Sequence, residues 1–250
     1  MAAEDVAVAG ITNFLPEEMT PATQEWLING LIKALPMLRM AALFAQRTDM
    51  FTEADLVTAA VAADGSAAGA LSSRWLKLSQ DDIFLHILTQ FVGEDHQGGT
   101  MFGGCWAAHL SALAATERGM PSLFVLKTYN PIVFCAMRAF TAIPDVWMYP
   151  DLRAGTPEPT AARLAAEVAG AVSPGLFFSA ETGVIRGAGV PADLYPALPI
   201  SSDLAVNEYF TAVTRPGDRV LCLLAAPTVA TRRAILAAFG ITPALGGDRG

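Results

Sequence analysis

Residues 83–104 read IFLHILTQFVGEDHQGGTMFGG, and residues 128–131 read TYNP. The apolar run Ile83 to Val92 has the length and texture of a strand, and it breaks into the turn Asp95-His96-Gln97-Gly98-Gly99-Thr100. An Ala-rich helical pattern from Trp106 to Arg118 follows, closed by Gly119 and Pro121 in the usual C-terminal order. Ser122 to Thr128 then reads as a buried strand, and Asn130-Pro131 opens a helix expected to reach about Phe140. Strand, glycine turn, helix, strand, helix is an order that presents backbone N–H groups to an anion. The first amides of a helix lack internal partners and the dipole is positive there.

Upstream, Leu56 to Ala63, Ala68 to Leu78 and Ile83 to Val92 are separated by turns at Asp64-Gly65 and Gln80 to Asp82, which predicts an antiparallel meander. Before it come a short strand at Val6 to Ile11, a helix opening at Thr20-Pro21 and carrying Trp26, Leu27, Leu31 and Ile32, a stop at Pro36, and a second helix from Met37 to about Arg47. Downstream of Pro150 the composition shifts to Pro, Gly and Ala, with Thr156-Pro157-Glu158-Pro159 as a linker. Helices are expected near Ala161 to Ala171, from Asp203 and after Pro227, with a strand at Arg219 to Leu224. The predicted fold class is α/β, with a mixed, largely antiparallel central sheet flanked by helices. Residues 1–150 are expected to carry the site. Residues 151–250 are an extension that completes the sheet, covers the site or mediates oligomerisation.

The chain has 250 residues, of which 53% are hydrophobic and 16% charged, so it is long enough to bury a substantial core. A formal net charge of -8 without clustered Lys and Arg argues against nucleic acid as a partner. Cys105, Cys135 and Cys222 are odd in number and widely separated, which suggests neither a disulfide framework nor a metal site. Glu4 and Asp5 stand where a signal peptide has basic residues, and no apolar run reaches the roughly 18 residues of a membrane span. The expectation is a cytoplasmic protein without membrane contact, in which the apolar composition leaves room for a homodimer surface.

Val92 to Phe102 and Lys127 to Phe140 resemble the GNAT superfamily of acyl-CoA-dependent N-acyltransferases. In that family a strand ending in an apolar residue leads to Gln/Arg-x-x-Gly-x-Gly/Ala, whose amides hold the CoA pyrophosphate. Here Gln97 and its spacing from Val92 match. Thr100 and Phe102 depart from the pattern, and Gly98, Gly99, Gly103 and Gly104 supply permissive backbone instead. The resemblance covers Leu56 to Trp147 and leaves the C-terminal hundred residues outside it.

The resemblance implies transfer of an acyl group from acyl-CoA, acetyl-CoA or longer, or from an acyl carrier thioester, to the amine of a small molecule. It assigns cofactor contacts to the backbone of Phe91 and Val92, to Gln97, Gly98, Gly99 and Thr100, and to Asn130 at the start of the next helix. Relatives use a Glu six residues before the Val92 position as base. His86 stands there, and a neutral imidazole does the same chemistry. The reading set against it is a satisfied histidine on a half-buried strand. Relatives protonate the departing thiolate with a Tyr that this helix lacks, and Cys135 falls within reach of that role in one register, against the plain reading of an apolar core cysteine. His96 is a cofactor contact or an exposed loop residue, His109 a structural helix residue.

Two alternatives stand beside this one. Gly99-Thr100-Met101-Phe102-Gly103-Gly104 also resembles the turn of hot-dog-fold acyl-CoA thioesterases, but there the helix is followed by several long antiparallel strands and not by one strand and Asn130-Pro131. A non-catalytic acyl-CoA-binding module would account for the missing Tyr and the altered glycines.

Overall fold

The computed structural model describes residues 8–47, 49–78, 82–154 and 157–242. The expected strand residues Val6 and Ala7, most of the turn before Asp82, and Thr156 of the linker lie outside them. Nine strands form one sheet: β1 (Val8–Phe14), β2 (Leu56–Ala62), β3 (Ala67–Lys77), β4 (Ile83–Val92), β5 (Leu123–Thr128), β6 (Trp147–Tyr149), β7 (Phe178–Ser179), β8 (Val184–Ile185) and β9 (Arg219–Ala225). Their order is β1-β2-β3-β4-β5-β9-β8-β7, with β6 also on β9. Every pairing is antiparallel except β4 with β5. The fold is therefore the expected mixed, largely antiparallel α/β sheet. Its last hundred residues enter it directly, because β9 lies against β5 in register Leu123↔Ala225 to Thr128↔Val220.

The helices are α1 (Pro21–Ala34), α2 (Met40–Gln46), α3 (Asp49–Thr52), α4 (Met101–Ala114), α5 (Pro131–Ala139), α6 (Pro159–Val172), α7 (Leu204–Val213) and α8 (Val229–Ala238). Local chemistry sets several of their starts. Thr20, Asn130, Glu158, Asp203 and Thr228 each cap a helix through a side-chain oxygen that accepts from a first-turn amide. Five elements differ from the sequence reading. The helix expected from Met37 begins at Met40 and gives way to the short α3, and the two-residue strands β7 and β8 fall between the helices expected near Ala161 to Ala171 and from Asp203. The helix expected at Trp106 begins at Met101. Gly103 and Gly104 are helical and do not make a turn, and a Cβ on Gly104 would come within 2.7 Å of Ile11 Cδ1, the movable end of a side chain on β1.

Helices cover both faces. One core gathers Leu85, Ile87, Trp106, Phe124, Phe134 and Phe210, on the face covered by α4, α5, α7 and α8. On the other face α1 to α3 pack on β2 and β3 through Leu27, Leu31, Phe44, Val57 and Ala59, and α6 packs on β5 and β9 through Val168, Val125 and Leu223.

Two features of β4 position the site. Ser72 pairs with Thr89 and Ser73 with Ile87, so Leu88 is an extra residue bulged out of the β3 ladder. Against β5, the pairs stop at Ile87↔Leu126, while β3 stays paired with β4 as far as Val92. Among the described residues the β4 edge beyond Ile87 thus has no strand partner on the β5 side, and the two parallel strands splay apart.

Candidate active site

The splay opens into two cavities that share Gln90, Phe91, Val133 and Tyr195. The larger, about 720 Å³, runs from the end of β4 past the glycine turn to the start of α5. Phe91, Val92, Gln97, Gly98, Gly99 and Asn130 all lie on its wall, together with His96, Glu94 and Phe102. The structure therefore brings together six of the seven residues expected to contact a cofactor. Thr100 is exposed and lies outside the wall.

The turn follows a 3-10 segment, Glu94–His96, in which Gln97 N–H donates to Glu94 O at 3.2 Å and Gly99 N–H to His96 O at 3.3 Å. Gly98 has φ +83°, a left-handed conformation that glycine adopts without strain. Thr100 occupies the N-cap of α4 without capping it, so the amides of Met101, Phe102 and Gly103 have neither a side-chain nor an intrahelical acceptor. Phe102 fills the cleft wall beside Trp106, ring centroids 6.4 Å apart, and is half-buried there instead of standing across the turn. At the far side Asn130 Oδ1 accepts from Ile132 N–H at 2.9 Å, fixing the start of α5 against the cleft.

The smaller cavity, about 110 Å³, lies inside the splay, walled by Ile87 to Phe91, by Leu126 to Tyr129, by α2 and α3, and by Gly189 and Arg219. Because paired residues share a face, the ladder puts His86 opposite Arg74 and Val125, and Thr89 opposite Ser72 on that same face. Lys127 and Arg219 follow from Val125 and Leu221 by alternation. The cavity is consequently basic. Arg47, Lys127 and Arg219 all line it.

Arg47 is held by Asp49 in a two-point contact of 2.8 and 3.1 Å. Neither Lys127 nor Arg219 has a carboxylate partner among the described residues. Lys127 Nζ donates to Val172 O at 2.9 Å and Ser173 Oγ at 3.0 Å. Burial, reinforced by Arg47, Arg219 and Arg74, pushes its ammonium down to about 8. Arg219 lies over the Tyr129 ring, 5.7 Å from its centroid, and donates to Asp218 O at 2.7 Å. A Cβ at residue 189 would overlap its guanidinium, so Gly189 is what makes room for it.

Neither of the two residues expected to move protons reaches a cavity wall. His86 is buried at 3% exposure beneath the basic cavity, both ring nitrogens lack a partner, and burial together with Lys127, Arg74 and Arg47 keeps it neutral, well below the usual imidazole range. Cys135 is half-buried on α5 and packs against the core. His109 is structural. Its Nδ1 lies 2.8 Å from Thr58 Oγ1 and its Nε2 2.8 Å from Ser73 Oγ, and Thr58 donates onward to Asn13 Oδ1 at 2.6 Å. With Thr58 already donating, Nδ1 must carry the proton and Nε2 accept, and burial holds the ring at about 3.

The sequence reading did not connect Arg47, Thr89, Lys127 and Arg219. The available signal was a lysine inside the apolar strand Leu123–Thr128, where a charge is seldom placed without purpose.

No protein-family model and no curated protein matches this sequence. Among solved structures it is similar to a GNAT family N-acetyltransferase, YhbS, from Escherichia coli in complex with CoA, at 16% identity and TM-score 0.36, over 49% of this chain and 64% of that one. It is also similar to a GNAT family acetyltransferase from Brucella melitensis in complex with acetyl-CoA, at 12% identity and TM-score 0.33, over 47% and 75% of the two chains. A third likeness is to an aminoglycoside acetyltransferase from an uncultured soil metagenomic sample, at 17% identity and TM-score 0.30, over 44% and 74%. These likenesses are partial, and the geometry of the site stands without them.

Proposed function

We propose that this chain is a divergent GNAT-like acyltransferase that moves an acyl group from acyl-CoA to the amine of a small molecule. The observation that carries the reading is the free β4 edge beyond Ile87, running alongside the larger cleft into the uncapped start of α4. An extended chain bearing amides, such as pantetheine, adds to a free strand edge by the hydrogen bonding that would extend a sheet. A pyrophosphate suits the amides at Gly98 and Met101 to Gly103, where the helix dipole adds to them. The thioester then lies between β4 and β5, next to the residues common to both cavities.

In this reading the acceptor amine enters from the smaller cavity and attacks the thioester carbonyl carbon. The C–S bond breaks, the amine gives up a proton, and the thiolate takes one. Backbone N–H groups on the free edge of β4 polarise the carbonyl as its charge grows. His86 is the proposed proton acceptor, working through water from outside the cavity wall; both its nitrogens are unpartnered among the described residues, and because burial and the neighbouring cations oppose its charged form it passes the proton on and does not keep it. The reading gives Cys135 no part in the reaction.

The test is titration of the purified protein with acetyl-CoA, a long-chain acyl-CoA and free CoA, with CoA release followed by mass analysis. Binding with little hydrolysis, weakened by Gln97→Ala, supports the proposal. Rapid hydrolysis without an amine would favour a thioesterase, and absence of CoA binding would sink the reading.

A further inference from the structure

The smaller cavity gathers three cations, Arg47, Lys127 and Arg219, of which Arg47 alone has a salt-bridge carboxylate among the described residues. Lys127 and Arg219 are both half-buried and have no salt-bridge carboxylate among the described residues, and Arg47 adds a third cation whose charge Asp49 already balances. Arg74, which faces His86 from β3, is likewise spent on Glu53. A buried unpaired charge is costly to keep, and a chain with net charge -8 does not accumulate such charges by composition. A further observation points into the same space. Thr89, 5% exposed, lines the cavity, and its Oγ1 has no hydrogen-bond partner among the described residues.

Resting on the acyltransferase reading, we propose that the acceptor is a small aminocarboxylate, whose carboxylate sits against Lys127 and Arg219 while its amine faces the β4–β5 splay. Guanidinium and ammonium donors suit a carboxylate because charge-assisted hydrogen bonds are about twice as strong as neutral ones. The Thr89 hydroxyl supplies one more donor. A polycationic acceptor is disfavoured by the same wall, where like charges would meet without water to screen them. The small volume, about 110 Å³, suits a carboxylate head group and not an extended polymer.

Two titrations separate this proposal from the one it rests on. Free CoA is titrated first and reads the cofactor cleft alone. Each L-α-amino acid, and its α-carboxamide, is then titrated by calorimetry with and without saturating CoA, with inorganic sulfate as a control anion. The expected result is that at least one free amino acid binds, and that its carboxamide binds about 10- to 100-fold more weakly. Arg219→Met should abolish that preference and Lys127→Met should reduce it, with the melting temperature of Lys127→Met held at pH 7 because removal of the unpaired charge offsets the lost bonds to Val172 and Ser173. Lost stability in Lys127→Met would mark Lys127 as a structural strut, with Arg219→Met then judging the site alone. Equal binding of acid and carboxamide, sulfate binding as tightly as any amino acid, or CoA binding with no amino acid binding at all would each overturn the proposal. Loss of CoA binding, with the acid preference intact, would instead overturn the acyltransferase and leave an aminocarboxylate site.

Discussion

Replacing Lys127 with methionine tests whether the splay holds a buried, unneutralised charge. The unfolded chain binds the Lys127 proton near 10.5, the folded chain only below about 8, because burial and the neighbouring Arg47, Arg219 and Arg74 oppose the ammonium while Asp49 favours it weakly. Between those values the unfolded state holds more protons, so folded stability rises with pH across the window and is lowest below it. At about 1.36 kcal/mol per pH unit the whole effect is about 3 kcal/mol, of which about 2.5 kcal/mol is expressed between pH 7 and pH 10. The variant lacks this group. Its stability relative to the parent should therefore be highest at pH 7 and fall by about 2.5 kcal/mol by pH 10, whatever the fixed cost of the lost bonds to Val172 and Ser173. Urea unfolding of both proteins across that range measures the difference, and other alkaline titrations cancel in it. A gap that stays constant with pH would mean that Lys127 is well solvated or already neutralised, and the basic cavity would lose its argument.

Gly98→Val puts a β-branched residue at φ +83° and should cost about 1–3 kcal/mol of local strain. Free CoA should then bind at least about tenfold more weakly, and an unchanged dissociation constant would detach the turn from the cofactor. His86→Leu removes two buried nitrogens that have no partner, so the melting temperature should hold or rise. If His86 is the base, turnover falls by about 100-fold or more with CoA affinity unchanged, and undiminished turnover would return it to the core. His109, held at about 3 in the folded chain against an ordinary value of 6.5, makes stability fall as pH drops through that interval, because only the unfolded chain takes up the proton. His109→Gln should flatten that acid limb in thermal melts, and an unaltered limb would point to the carboxylates as its source.

What could be read from the sequence is what local chemistry decides. The strand Ile83–Val92 is mostly apolar, and Asn130-Pro131 both caps and opens α5, so their bounds follow from neighbouring residues. The same holds for one wall of the larger cleft, Phe91 to Gly99, which is contiguous in sequence, whereas Asn130 and Tyr195 join it through the fold. The start of α4 was not legible, because Gly103 and Gly104 read locally as turn residues, while α4 packs on β1, β2 and β3 from far earlier in the chain.

The basic cavity belongs to tertiary structure alone. Arg47 comes from the end of α2, Thr89 from beyond a bulge in β4, Lys127 from β5, and Arg219 from β9, which pairs with β5 across the whole intervening α5 to α7 region. A one-residue shift at Leu88 decides which face Thr89 takes, and the point at which β4 leaves β5 decides whether the cavity exists. Sequence sets propensities within a few residues. The field inside the splay is a sum over charges brought within a few ångströms by long-range strand pairing, and only the folded sheet performs that sum.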